Sequence, residues 1–396
     1  MINEKMRGLG ANRSAIRDLF EYGLKRKAEI GAENVYDFSL GNPSVPAPDE
    51  VGEELARLIK ETDAISLHGY TSAAGDATVR RAVSDYISKT QGFSCTPDNI
   101  YMTVGAAAAL TCTLNGVITK GEEVILLAPY FPEYKVFVEN AGGVAVEVMC
   151  DTETFQPDIS AIAAAVNERT AAIIINSPNN PTGAVFSEES IKAIADLLAE
   201  CEKKHGKDIY VIADEPYREL VYGGADVPYI PKYYNNTVVC YSYSKSLSIP
   251  GERIGYVMVS PKAREWERVY QAVAGSGRAL GYVCAPALLQ KLLPRCLGLT
   301  SDISVYDTNR RLLLDVLSSY GYSMVKPEGA FYLFLKAPVA DAKEFCEAAK
   351  RHELLLVPSD SFGCGGYVRI SYCVTTEQVR RALPAFRALA EEYNLI

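Results

Sequence analysis

Lys245 stands in the run Ser242-Tyr243-Ser244-Lys245-Ser246-Leu247-Ser248-Ile249-Pro250-Gly251-Glu252-Arg253. A lysine that works as a nucleophilic amine needs its ammonium form disfavoured. Ser242, Ser244 and Arg253 are phosphate ligands by type, so the stretch could hold a phosphorylated carbonyl cofactor such as pyridoxal phosphate as a Schiff base on Lys245. Taken alone, a lysine among serines reads more readily as a solvated surface charge than as a site.

Asp214 closes the apolar run Ile209-Tyr210-Val211-Ile212-Ala213 and is followed by Glu215-Pro216-Tyr217. In an open parallel sheet, ligands bind beyond the carboxyl ends of the strands. A carboxylate there could keep a pyridine nitrogen protonated, or simply cap the next helix. Tyr217 could donate to a ring oxygen, or pack as one of 25 tyrosines. The loop Ser177-Pro178-Asn179-Asn180-Pro181-Thr182-Gly183 reads as a tight turn, or as a stiff holder for the Asn180 amide.

Gly105-Ala106-Ala107 opens an alanine-rich helix whose first amides are free for an anion, though such a helix is often only close-packed. Phe131, after another apolar run, could lie against an aromatic ring or fill the core. Arg369, on the strand pattern Tyr367-Val368-Arg369-Ile370-Ser371-Tyr372, offers a bidentate grip for a carboxylate, or a sheet-edge ion pair.

Positioning these groups requires a framework, and the periodicity provides one. Short apolar runs at 123–127, 144–149, 171–175, 209–213, 237–243 and 254–259 read as strands, with helical patterns at 131–141, 158–167 and 188–203. The fold class is therefore α/β, a mostly parallel central sheet covered by helices on both faces. Helices over 14–30, 301–320, 341–352 and 375–391, with strands at 331–335, 354–357 and 367–372, point to a second, smaller α+β domain. The expected division is a large domain of 48–290, with 1–47 and 291–396 packing together as the small one.

The chain has 396 residues, is 48% hydrophobic and carries a net charge of −9, without a basic run for nucleic acid or an anionic membrane. No segment reaches the ~18 uninterrupted apolar residues of a membrane span, and the first ten residues lack a leader's apolar core. The expectation is a cytoplasmic protein without nucleic-acid or membrane partners. Ten cysteines and three histidines are scattered without Cys-x-x-Cys spacing, which favours reduced, packed thiols over a metal site.

In order along the chain, Gly41, Tyr70, Gly105-Ala106-Ala107, Phe131, Asn180-Pro181-Thr182-Gly183, Asp214-x-x-Tyr217, Ser242-x-Ser244-Lys245, Arg253 and Arg369 resemble the fold-type-I, class I/II pyridoxal-phosphate aminotransferases. The resemblance covers nearly the whole chain, with 31 residues from Asp214 to Lys245. It implies pyridoxal 5'-phosphate carried by Lys245, which also moves the substrate proton. Asp214 would meet the pyridine nitrogen, Tyr217 and Asn180 the phenolic oxygen, and Phe131 the ring face. Ser242, Ser244, Arg253 and the Gly105-Ala106-Ala107 turn would hold the phosphate, while Arg369, Asn180 and the Gly41 backbone would take the α-carboxylate. Tyr70 would reach the phosphate of a neighbouring subunit, implying a homodimer with shared sites.

The implied reaction is ping-pong transfer of an amino group between an L-amino acid and a 2-oxo acid such as 2-oxoglutarate. Carbon–sulfur β-lyases and aminocyclopropane-carboxylate synthases share the same residues and would release different products. A non-catalytic cofactor-sensing module is a third reading, disfavoured by the acidic charge and the absence of room for a DNA-binding segment before the helix at 14–30. Some dicarboxylate-specific members carry a lysine where this chain has Ala107.

Overall fold

The computed structural model describes residues 2–11 and 15–396. Its strands are β1 (Tyr36–Asp37), β2 (Ile100–Thr103), β3 (Glu123–Ala128), β4 (Val144–Met149), β5 (Thr170–Asn176), β6 (Tyr210–Asp214), β7 (Thr237–Ser242) and β8 (Gly255–Val259). After these come β9 (Ser323–Met324), β10 (Tyr332–Lys336), β11 (Leu354–Leu355), β12 (Val357–Pro358) and β13 (Tyr367–Ser371).

Among the described residues, one sheet has seven strands in the order β2-β8-β7-β6-β5-β3-β4. The neighbours from β4 to β7 are parallel, while β8 runs antiparallel to both β7 and β2. Strands β3, β5, β7 and β8 are buried along their whole length. That is why their sequences are continuous apolar runs rather than alternating ones. Alternate residues feed two separate cores. Ile125, Leu127, Ile173, Ile175, Val211 and Val239 pack on one face, and Val124, Leu126, Ala172, Ile174, Ile212 and Val238 on the other.

The helix Glu188–His205 shows how the covering layer is written. Ser187 accepts a hydrogen bond from the Ser190 amide, Glu188 and Glu189 occupy the first turn, and Gly206 ends the helix at φ 65°. Ile191, Ile194, Ala195 and Leu198 recur on one face and are its buried residues.

A four-stranded antiparallel sheet, β12-β13-β10-β9, forms farther along the chain. Strand β1 pairs with β11 in parallel, Tyr36 opposite Leu354, so the N-terminal part is stitched to the C-terminal part. Helices Ser304–Ser319 and Thr376–Glu392 enclose a third core around Phe38, Tyr306, Phe331 and Phe386.

The single strand expected over 354–357 is two strands, because Leu354–Leu355 pairs with β1 and Val357–Pro358 with β13. The helix expected from Ser14 begins at Ala15 among the described residues, and Ser14 itself lies outside them. Among the described residues, no helix is long and apolar enough to cross a membrane.

Candidate active site

The loops following β3, β5, β6 and β7 meet at the carboxyl edge of the large sheet, around a cavity of about 300 Å³. Gly41, Ala106, Ala107, Phe131, Asn180, Asp214, Tyr217, Ser242, Ser244, Lys245, Arg253 and Arg369 all line it. Residues more than three hundred positions apart are thus brought together. Gly105 stands just behind the wall, and Tyr70 is 90% exposed on the surface of the single chain.

Lys245 lies in the helical turn Tyr243–Ser246 that follows β7, with the Ser242 hydroxyl as its cap. Its Nζ donates to the Gly41 carbonyl at 2.6 Å and lies 5.3 Å from the centre of the Phe331 ring. Burial pulls the ammonium down from its ordinary 10.5 to about 8, with Arg253 and Arg369 adding repulsion and Cys373 opposing. An amine so placed titrates near physiological pH, so its neutral form is within easy reach there.

Asp214 ends β6 and is buried. Its Oδ2 accepts a hydrogen bond from the Tyr134 hydroxyl, while Oδ1 is buried without a partner among the described residues. Burial pushes this carboxyl up to about 7, against a lowering contribution from Tyr134. The adjacent Glu215 has its own cation, Arg218 at 2.6 Å, whereas Asp214 meets only a phenol. Asn176 joins two loops: its Nδ2 donates to the Asp214 carbonyl at 2.9 Å and its Oδ1 accepts from the Asn180 amide at 2.8 Å.

Ser244 donates its backbone amide to the Ser242 hydroxyl at 3.0 Å, and Arg253 Nη1 reaches Ser244 Oγ at 3.3 Å. The helix Ala106–Val117 starts beside them without a side-chain cap. Gly105 is at φ 85°, and a Cβ there would come within 2.7 Å of Arg253 Nη2. The positive φ favours glycine here, and a side chain would also have to displace the Arg253 guanidinium. Two hydroxyls, a guanidinium and a helix start without a side-chain cap are groups that could hold a phosphate.

Arg369 is buried in β13, where burial lowers its pKa. Nη1 donates to Asn180 Oδ1 at 3.1 Å and Nη2 to the Ser39 carbonyl at 2.6 Å, while Nε is buried without a partner among the described residues. With Oδ1 turned to Arg369, the Asn180 Nδ2 is the group left for a ligand. Tyr217 stands 2.9 Å from Tyr332, hydroxyl to hydroxyl.

Tyr134, Asn176 and Tyr332 were not singled out by the sequence reading. Tyr134 packs on Phe131, the two rings meeting edge to face at 5.6 Å.

These residues fit pyridoxal 5'-phosphate on observations independent of any resemblance. The orphaned Asp214 oxygen calls for a cationic ring nitrogen, the glycine-bordered cradle for a phosphate, and the buried amine for a carbonyl carbon.

A family model described as "Aminotransferase class I and II" matches residues 33–386. The aspartate/prephenate aminotransferase of Thermus thermophilus is 31% identical over 390 residues, covering 96% of this chain and 98% of its own length. A crystal structure of an amino transferase from Eubacterium rectale superposes with a TM-score of 0.98 at 53% identity, covering 100% of this chain and 99% of that one. The aspartate aminotransferase of Thermus thermophilus, solved with maleate, gives 0.86 at 28% identity, covering 97% and 98%. With matches of this extent, the chain belongs to the class I and II aminotransferases, a family of pyridoxal 5'-phosphate enzymes.

Proposed function

We propose that this cavity transfers an amino group from an L-amino acid to a 2-oxo acid, with 2-oxoglutarate as acceptor, in two half-reactions that share one site. The observation that carries the reading is the gathering around one cavity of Lys245, Asp214 Oδ1 and Arg369 Nε, the last two without a partner among the described residues. Pyridoxal 5'-phosphate, when bound, supplies an electron sink for charge developing at the substrate Cα.

Each residue then has a task. Lys245 would carry the cofactor and, as a free amine, would take the proton at the substrate Cα; its lowered pKa suits a base near neutral pH. Asp214, steadied by Tyr134, holds a proton at the ring nitrogen. Tyr217 and Asn180 donate to the ring oxygen, and Phe131 covers the ring face. Ser242, Ser244, Arg253 and the Gly105-Ala106-Ala107 turn bind the phosphate. Arg369 orients the substrate through its α-carboxylate, helped by Asn180 and the Gly41 backbone.

The rest of the cavity wall includes Ile16, Leu40, Leu110 and Phe137. We read this apolar part as the resting place of the substrate side chain. Tyr70, 90% exposed beside Ile65 at 83%, is read as a residue that completes the site of a second subunit in a homodimer. The proposed domains are 48–290, holding the cofactor, and 1–47 with 291–396, holding the α-carboxylate; the β1–β11 pairing supports joining the two outer segments.

The test is a single half-reaction. Holoprotein mixed with an amino-acid donor alone should release one equivalent of 2-oxo acid per site and bleach the visible cofactor band, and 2-oxoglutarate should restore it. Release of ammonia with continuing turnover would instead mark a lyase.

A further inference from the structure

We infer that Tyr332 is a positioning residue that relays the state of the Arg369 carboxylate grip to the Tyr217 hydroxyl. This rests on the roles proposed above for Arg369 and Tyr217. Tyr332 opens β10, directly opposite Ser371 of β13, and is buried. The Arg369 guanidinium lies over its ring, 4.7 Å from the centroid. Its hydroxyl is 2.9 Å from that of Tyr217, and the two rings meet edge to face at 5.8 Å. A Cβ on Gly41 would lie 2.2 Å from the Tyr332 hydroxyl, so the backbone whose carbonyl holds Lys245 also leans on this phenol. One side chain thus touches the carboxylate grip, the ring-oxygen donor and the segment that holds the lysine.

Either hydroxyl of this pair can donate to the other. Burial raises both and Arg369 lowers both, and it is the Tyr332 ring that lies beneath the guanidinium. A cation at the ring face polarises that phenol, which makes the Tyr332 hydroxyl the donor to the Tyr217 oxygen in this proposal. The Tyr217 proton is then free to point into the cavity, and a phenol that accepts one hydrogen bond donates the next more strongly. A carboxylate docking on Arg369 offsets the charge over the Tyr332 ring and weakens the relay.

The experiment is a pH titration of the visible band of the bound cofactor in the holoprotein. The base form places more negative charge on the ring oxygen, so a donor there lowers the midpoint. In Tyr332→Phe the midpoint should rise by about half to one pH unit, the worth of one hydrogen bond. In Tyr217→Phe it should rise at least as far, and the double variant should go no further than Tyr217→Phe alone. Tyr332→Met, which keeps bulk without the hydroxyl, should move it in the same direction. An unmoved midpoint in both Tyr332 variants beside a raised one in Tyr217→Phe overturns the relay and leaves the role of Tyr217 standing. Unmoved midpoints at both positions overturn the relay together with the reading of Tyr217 on which it rests.

Discussion

Asp214 and Arg369 line the same cavity, and each keeps one buried atom without a partner among the described residues, an acceptor oxygen in the first and a donor nitrogen in the second. Asp214 stands at the open end of a parallel strand, with its remaining oxygen held by Tyr134. Arg369 is in the interior of an antiparallel strand, flanked in register by Phe334 on one side and Val357 on the other. Burial works against the charge of both, raising the carboxyl and lowering the guanidinium. An isolated buried charge is costly, so each position favours a ligand group of opposite sign. The difference shows two ways of building a site. A strand end frees a side chain to meet a cofactor in a crevice, whereas a residue within a strand moves only with its sheet and suits a fixed grip.

Breaking the cofactor side should have the largest effect. Asp214→Ala is expected to stay folded and lose on the order of 10²-fold or more in kcat. Near-wild-type turnover would remove Asp214 from the ring nitrogen. Arg369→Lys tests the other side, because one ammonium cannot reproduce two parallel hydrogen bonds. KM should rise about 10- to 100-fold, with a smaller change in kcat. An unchanged KM would place the carboxylate grip elsewhere.

The smallest effect sharpens the electrostatic half of the comparison. The Asp214 carboxyl titrates at about 7 in the fold against an ordinary 3.8. Between those values the folded, cofactor-free protein holds a proton that the unfolded chain has released. The stabilisation is fully present below about 4 and is lost as pH rises through about 7. The thermal midpoint of the cofactor-free protein should accordingly lose a few degrees across that window through this group, and Asp214→Asn should flatten that part of the curve. An identical pH profile in the variant would show that Asp214 is not the group responsible.

Much of this architecture is legible in the sequence because burial on both faces writes β3, β5 and β7 as unbroken apolar runs. Strand β2 is not, since four residues at the edge of a sheet leave too short a pattern to separate from a loop. Most cavity residues are legible because they sit on strand ends or turn-forming motifs, and Arg369 because it is a charge inside an apolar strand pattern. Tyr134 and Tyr332 escaped because a tyrosine is informative only through what its hydroxyl meets. Their partners, Asp214 and Tyr217, lie 80 and 115 residues away along the chain. The closeness of Gly41 to Tyr332 is likewise a property of two segments brought together by the fold.

The most direct test of the account is to find the lysine that carries the cofactor. Borohydride reduction of the holoprotein, followed by proteolysis and mass spectrometry, should place the pyridoxyl mass on the peptide containing Lys245. The mark should be absent from Lys245→Ala treated in the same way. A stoichiometric mark on any other lysine would contradict the assignment of this cavity as the active site.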